Sequence, residues 1–346
     1  IHCQPSVSEP HTQSVGCAAV ITVTNTADDG AGSLRQALKD VCSGGTIRFD
    51  LTTPATITLS TGELPITKTL TILGPGADLL TVNGNGDSRI FLVEEGASAT
   101  MSNLTIRNGN ASDSGGGVYS VGALTLQDCV LADNSALLMG GGVAVVSGTL
   151  TVERVLFQNN RAEYGGGVSA AGAEINLTDV TFDSNIAMSR GGGSSLDTES
   201  TTTGQRVTFA HNLAYRPDDL PRRLMGASSS FAGGGLTLED GVLSAAFTNS
   251  TWYDNAARGT DDVGGGAINV YDGALTLLNC TIISNTAAAP DTNLLSLPTA
   301  GGGGIVVYSG TVTLTNTLVA QNTSVADKPN LAGAFVSGGH NLISDA

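Results

Sequence analysis

Few residues in this 346-residue chain are of types that do chemistry, and their spacing limits what they could do. His2, His11, His211 and His340 stand far apart along the sequence and form no group. Acidic pairs occur at Asp28-Asp29, Glu94-Glu95, Asp218-Asp219 and Asp261-Asp262, all in stretches that read as loops. Carboxylates clustered on adjacent turns could hold calcium or share proton-transfer work. Asp128 and Asp179, however, are separated by a unit bearing Arg154, and no column of acids in consecutive units is expected. Glycine triplets such as Gly115-Gly116-Gly117 suggest a phosphate cradle, but no Lys-Ser or Lys-Thr follows them. The five cysteines match no zinc spacing. Cys3, Cys17 and Cys42 crowd the N-terminal region, where one disulfide among them would fit an oxidising compartment. Cys129 and Cys280 read as small buried thiols. The expectation is therefore no catalytic residue, no cofactor and no metal.

Charge narrows the partners. The net charge is −16, only 13% of residues are charged, and lysine occurs only at Lys39, Lys68 and Lys328. Such a surface repels nucleic-acid phosphates and anionic membranes. No apolar run reaches the roughly 20 residues of a membrane span. Against that background Arg216, Arg222 and Arg223 share one segment, which reads as a contact loop for an acidic partner or as a locally paired loop using Asp218 and Asp219.

These residues must be positioned by repeating elements. Glycine runs restart at Gly115, Gly140, Gly165, Gly191, Gly233, Gly264 and Gly302, at intervals of 25, 25, 26, 42, 31 and 38 residues. A period in the twenties means stacked units, and the longer intervals are units with insertions. An Asn column closes each unit, at Asn134, Asn160, Asn185, Asn212, Asn255, Asn285 and Asn322. Asn tolerates left-handed backbone, and stacked amides can bond between coils, so a structural role is expected. Three residues earlier stand Leu131, Phe157, Phe182, Phe209, Trp252, Ile282 and Val319. Five earlier stand Cys129, Val155, Val180, Val207, Ser250, Cys280 and Thr317, so one face of a strand is buried in every unit. Between these two columns and the glycines lies a middle strand, as in Leu124-Thr-Leu and Leu150-Thr-Val. Six before each Asn, the column Asp128, Arg154, Asp179, Arg206, Asn249, Asn279 and Asn316 predicts cross-strand pairing on a solvated sheet.

Nothing between the strands is long enough for crossover helices. The fold class is thus all-β, a right-handed parallel β-helix (β-solenoid) with about three strands per coil. A short amphipathic helix is expected near residues 33–41, with Ser33 as N-cap and Leu34, Ala37, Leu38 and Val41 on one face, closing the first coil. Residues 1–19 read as an N-terminal arm or leader, 20–114 as the capping helix and irregular first coils, and 115–346 as regular coils. Loop insertions are expected at 215–232, 258–263 and 288–301, all between the Asn column and the next glycines. No helical or polar closing segment is visible in the last residues, so more coil or a covering molecule is expected there.

The stretch Asp29-Gly-Ala-Gly-Ser-Leu-Arg-Gln-Ala-Leu, then Gly45-Thr-Ile-Arg-Phe and Leu70-Thr-Ile-Leu-Gly-Pro-Gly-Ala, resembles bacterial secreted right-handed parallel β-helix proteins with a CSLREA-type cap. The glycine and Asn-x-Ala pair is similar to the repeats of chlamydial polymorphic outer-membrane proteins. The resemblance implies a secreted or cell-surface location, and further coil and an anchoring tail after Gly339-His-Asn-Leu-Ile. The expected function is a non-catalytic extracellular structural protein: a surface rod, an adhesin, or a subunit of a head-to-tail fibre. Its expected partner is itself, head to tail or laterally. The alternative is a polysaccharide-binding or polysaccharide-cleaving protein of the pectate-lyase kind, with a cell-surface polysaccharide as partner.

Overall fold

A computed structural model of the chain describes residues 16–215, 233–259, 264–288, 301–324 and 328–344. Cys3, Arg216, Arg222 and Arg223 lie outside the described residues, as do most of the N-terminal arm and most of the three insertions.

The described chain winds as a right-handed parallel β-solenoid. Its strands form three sheets, of 20, 11 and 8 strands. Most strands are short, two to six residues, because corners follow closely, and they hydrogen-bond in parallel to their equivalents in neighbouring coils. Val118, Val143, Val168, Ser194, Leu236, Ile268, Ile305 and Leu331 stack in one such register. The eleven-stranded sheet runs from Ala55–Thr58 to Leu342–Ser344 and marks eleven coils. The eight-stranded sheet begins only at Asn110–Ala111, so the earlier coils lack that wall. Inward side chains of all coils merge into one core.

Three sheets agree with the three expected strands, but a regular coil contains four. Val118–Ser120 and Ala123–Gln127 lie in the long sheet, Val130–Ala132 in the eleven-stranded sheet, and Ser135–Ala136 in the eight-stranded one. In the next two coils the first pair fuses into Val143–Glu153 and Val168–Thr178. The Asn-x-Ala motif is therefore the opening of a short strand. The turn before it is made one residue earlier, where Asp133, Asn159, Ser184, His211, Asp254, Ser284 and Gln321 all have φ between 53° and 60°. This corrects the expectation that the column Asn itself adopts left-handed backbone.

The Asp128 column is also placed differently from expectation. Its members have φ from 47° to 56° and sit at the corner between the long and eleven-stranded sheets, off the sheet face. Asp and Asn suit such corners because their short side chains bond locally, and Arg154 and Arg206 there pair with the aspartates of neighbouring coils.

The glycine triplets serve closeness as well as turning. Gly165 has φ 61°, while a Cβ on Gly166 would lie 2.5 Å from the Gly192 and Ile186 carbonyls. A Cβ on Gly167 would meet Phe182 Cδ1 at 2.9 Å. In the later coil the register aligns Gly265, one residue after the expected restart at Gly264, with Gly233, and Ala267 takes the third position.

At the N-terminal end, helix Leu34–Asp40 is capped by Ser33, whose Oγ accepts from Gln36 N at 3.1 Å. It packs on strands Ala18–Val23, Val41–Phe49 and Leu64–Ile66, burying Leu34, Ala37 and Leu38. Covering the core's cross-section in this way removes an apolar end that would otherwise face water.

Candidate functional site

Each predicted column has a definite place. The Asn column lies buried between the eleven- and eight-stranded sheets. Asn134 Nδ2 donates to Asn160 Oδ1 at 3.0 Å, Asn160 to Asn185 at 3.0 Å, and Asn185 to Asn212 at 2.9 Å. Asn212, Asn255, Asn285 and Asn322 continue at 2.9 Å, and the last donates to Asn330. The second amide hydrogen reaches the backbone carbonyl of a core-stack residue: Asn160 to Leu131, Asn185 to Phe157 and Asn212 to Phe182. Asn330-Leu-Ala repeats the motif only 8 residues after Asn322, out of step with the other units, so a search by period misses this rung.

The core stack Leu131, Phe157, Phe182, Phe209, Trp252, Ile282 and Val319 is fully buried. The rings of Phe157, Phe182, Phe209 and Trp252 stack at 4.9, 4.7 and 5.3 Å with interplanar angles below 10°. That separation matches the rise between coils.

At the outer corner Arg154 grips Asp128 through two bonds, 2.7 and 2.8 Å, and Arg206 grips Asp179 at 2.5 and 2.8 Å. The Arg154 and Arg206 hydrogen bonds hold both carboxyls below their usual range. Higher up, Asn316 donates to Asn279 and Asn279 to Asn249. At the N-terminal end Asp28 accepts from Ser60, Thr61 and Arg35. Burial alone would raise its carboxyl, but these bonds and the Arg35 charge hold it well below the carboxylate range. Cys17 and Cys42 form a disulfide that ties the first strand to the second. Cys129 and Cys280 are free and buried, and burial pushes both thiols up to about 11, which keeps them inert.

The outer face of the long sheet carries a second polar grouping. One step beyond the paired Leu196 and Leu238, Asp197 and Glu239 fall side by side in consecutive coils, followed in the same column by Tyr271 and Tyr308. This corrects the expectation of no acidic column; the 42-residue interval between Gly191 and Gly233 hides it in the sequence. Arg190 enters from the eight-stranded wall, pairs with Glu239, and lays its guanidinium 4.5 Å from the Tyr271 ring centre. Tyr271 and Tyr308 stack at 5.1 Å, and Ser195 Oγ donates to Glu239 at 3.2 Å. Burial pushes the Glu239 carboxyl up to about 7 against the pull of Arg190. Burial by itself would lower Arg190, but the Glu239 charge raises it. That rise requires an ionised Glu239, whereas Glu239's own shift favours its neutral form; burial of the carboxyl decides for Glu239, since Arg190 is charged either way. Nearer the N-terminus, a cavity of about 370 Å³ adjoins Arg89. Glu63, Asp113 and the Ser114 carbonyl neutralise that guanidinium, which also lies over Tyr119.

On the outer face of the eleven-stranded sheet, His211 stands in a group that its isolation along the sequence does not reveal. Nδ1 lies 2.7 Å from Asp183 Oδ1, and Tyr253 Oη lies 2.6 Å from Nε2. Asp183 and Tyr253 are two coils apart with Ala210 between them in register. The small side chain leaves room for the neighbouring imidazole to lie across the gap.

No family model matches the chain, and no curated protein matches it. Among solved structures the chain is similar to that of the pectate lyase Pel9A, at 12% identity and a TM-score of 0.46, over 94% of this chain and 80% of that one.

The described residues contain no group of three or more His, Cys, Asp or Glu arranged to hold a metal, and no helix long and apolar enough to cross a membrane. The two groupings around Glu239 and His211 escape sequence reading for one reason. Their members come from different coils, and insertions of unequal length shift their spacing. Aligning the strands on the Asn column is the signal that would have brought them together.

Proposed function

We propose that this chain is a rigid extracellular rod, a structural or adhesin module whose side walls present residues to a partner. The observation that supports it is the asparagine ladder, which passes without a break from Asn134 to Asn330. A continuous buried ladder under a single core resists bending between coils. Eleven coils at the spacing of β-strands give a rod of roughly 50 Å. The disulfide Cys17–Cys42 favours an oxidising location. In this reading the partner is a second copy or a neighbouring surface, and the cap and repeats are those of secreted β-helix proteins. Sedimentation and negative-stain microscopy over a rising concentration series test it. Rods that associate end to end or side by side are expected; monomers that bind neither themselves nor any cell surface would sink it.

A second reading, polysaccharide binding, is favoured by the Arg190–Glu239–Tyr271–Tyr308 grouping. Aromatic faces beside hydrogen-bonding charges suit sugar rings, and Tyr308 is 48% exposed. A glycan array probed with the wild type and Tyr308→Ala checks it: binding should appear and fall at least tenfold in the variant, a loss of about 1.4 kcal/mol.

A further inference from the structure

The group around His211 has the connectivity of nucleophilic catalysis, in which nucleophile, base and orienting acid are hydrogen-bonded in sequence. Asp183 Oδ1, 2.7 Å from Nδ1, fixes that nitrogen as the protonated one. Nε2 is left as an acceptor, and Tyr253 Oη donates to it at 2.6 Å. Asp183 is itself held by Gln158 and Ser184, so the imidazole's support is anchored. Burial alone would raise the Asp183 carboxyl, but its bonds to His211, Gln158 and Ser184 hold it below the usual range, ionised and able to orient the ring. A second carboxylate, Asp254 Oδ2, lies 3.9 Å from Nε2. The Tyr253 ring meets the imidazole edge to face at 4.8 Å, and the residue is 39% exposed, so a reagent can reach its oxygen.

We propose that Tyr253 is a nucleophile that accepts acyl groups from neutral esters, with His211 as its general base and Asp183 as the positioning residue. Oη attacks the ester carbonyl carbon while its proton passes to Nε2. The tetrahedral adduct collapses, the bond to the alcohol oxygen breaks, and Nε2 returns the proton to that oxygen. The products are an acyl ester of Tyr253 and a free alcohol. Water activated by the same nitrogen then attacks the acyl carbon, releasing the carboxylic acid and restoring the phenol. No oxidant, metal or cofactor enters the balance. Asp183 and Asp254 make the locality negative, so neutral esters are accepted ahead of anionic ones. This chemistry goes beyond the rod reading and stands or falls separately from it.

The test uses the full chain with p-nitrophenyl acetate, following p-nitrophenol release and mapping acetylated tyrosines by mass spectrometry. Tyr308 is the internal control because it is the more exposed phenol, at 48%. Tyr253 is expected to acetylate at least about tenfold faster than Tyr308, within the range that general-base assistance supplies. Tyr253→Phe should remove the adduct, and His211→Ala should slow it at least about tenfold, with added imidazole restoring the rate. Asp183→Asn should lower the rate while the chain stays folded at the assay temperature, any fall in thermal midpoint being that of one lost carboxylate. Equal labelling of Tyr253 and Tyr308 in the wild type overturns the proposal, as does a His211→Ala rate that is unchanged or that imidazole does not recover.

Discussion

Asn185 makes four side-chain hydrogen bonds in a position closed to water. It accepts from the backbone and side-chain nitrogens of Asn160 and donates to the Phe157 carbonyl and to Asn212. Alanine there would orphan two Asn160 donors and the Phe157 carbonyl below, while Asn212 Oδ1 above would keep only the Asn185 backbone N–H, and each orphaned buried group costs about 1–3 kcal/mol. Asn185→Ala should therefore lose roughly 2–5 kcal/mol in urea unfolding, whereas Asn176→Ala, on the outer face of a strand, should lose under about 0.5 kcal/mol. Glu239 carries a different burden. Its folded value of about 7 lies above its ordinary 4.5, so between those pH values the folded chain holds more protons than the unfolded one. Stability contributed by its neutral form is complete below pH 4.5 and is lost as pH rises through 7. Asp128, Asp179 and Asp183 have the opposite sign; their contribution is lost as pH falls through the acidic range below their ordinary 3.8. Glu239→Gln should flatten the decline between pH 4.5 and 7 in thermal melts and leave the acid limb unchanged. An unchanged decline would mean that Arg190 keeps the carboxylate ionised throughout.

At the scale of the strand, the stack from Phe157 to Trp252 shows how one inward position per coil carries the core. Trp252 is the only tryptophan in the chain, and its Nε1 is buried with no acceptor among the described residues. The indole thus trades ring contacts against an unsatisfied N–H. Trp252→Phe keeps a stacked ring and removes the orphan, and should cost under about 1 kcal/mol, while Trp252→Ala should cost about 3–5 kcal/mol. Chemical unfolding followed by circular dichroism separates the two. The same strand explains what was legible beforehand. Phe157, Phe182 and the Asn column recur at fixed offsets because each coil repeats one set of corners, so period and inward face follow from sequence alone. Cap Ser33 and helix face Leu34, Ala37 and Leu38 are equally local. The fourth strand was illegible because Ser135-Ala136 has too few residues to show a period. The Glu239 and His211 groupings were illegible because they join side chains of different coils, whose separation depends on insertion length and on small neighbours such as Ala210.

For the whole molecule, stability should be close to a sum over coils and the interfaces between them, because each coil touches only its neighbours. Gly140 to Tyr164 is one complete coil, and deleting it joins Met139 to Gly165 in the same phase of the repeat. Asn134 would then meet Asn185, and Leu131 would meet Phe182, so ladder and core can close again. The corner column would not close as well: removing Arg154 sets Asp128 against Asp179 without the cation between them. The deletion should fold, with parallel-sheet circular dichroism retained and a particle shorter by about 4.8 Å in scattering. It should melt below the wild type, and Asp128→Arg in the deleted chain should recover part of that loss by restoring a charge pair of the exposed kind, worth about 0.2–1 kcal/mol. A deletion that fails to fold even with Asp128→Arg would mean that the coils are not interchangeable units, and that the unequal insertions hold the rod together across more than nearest neighbours.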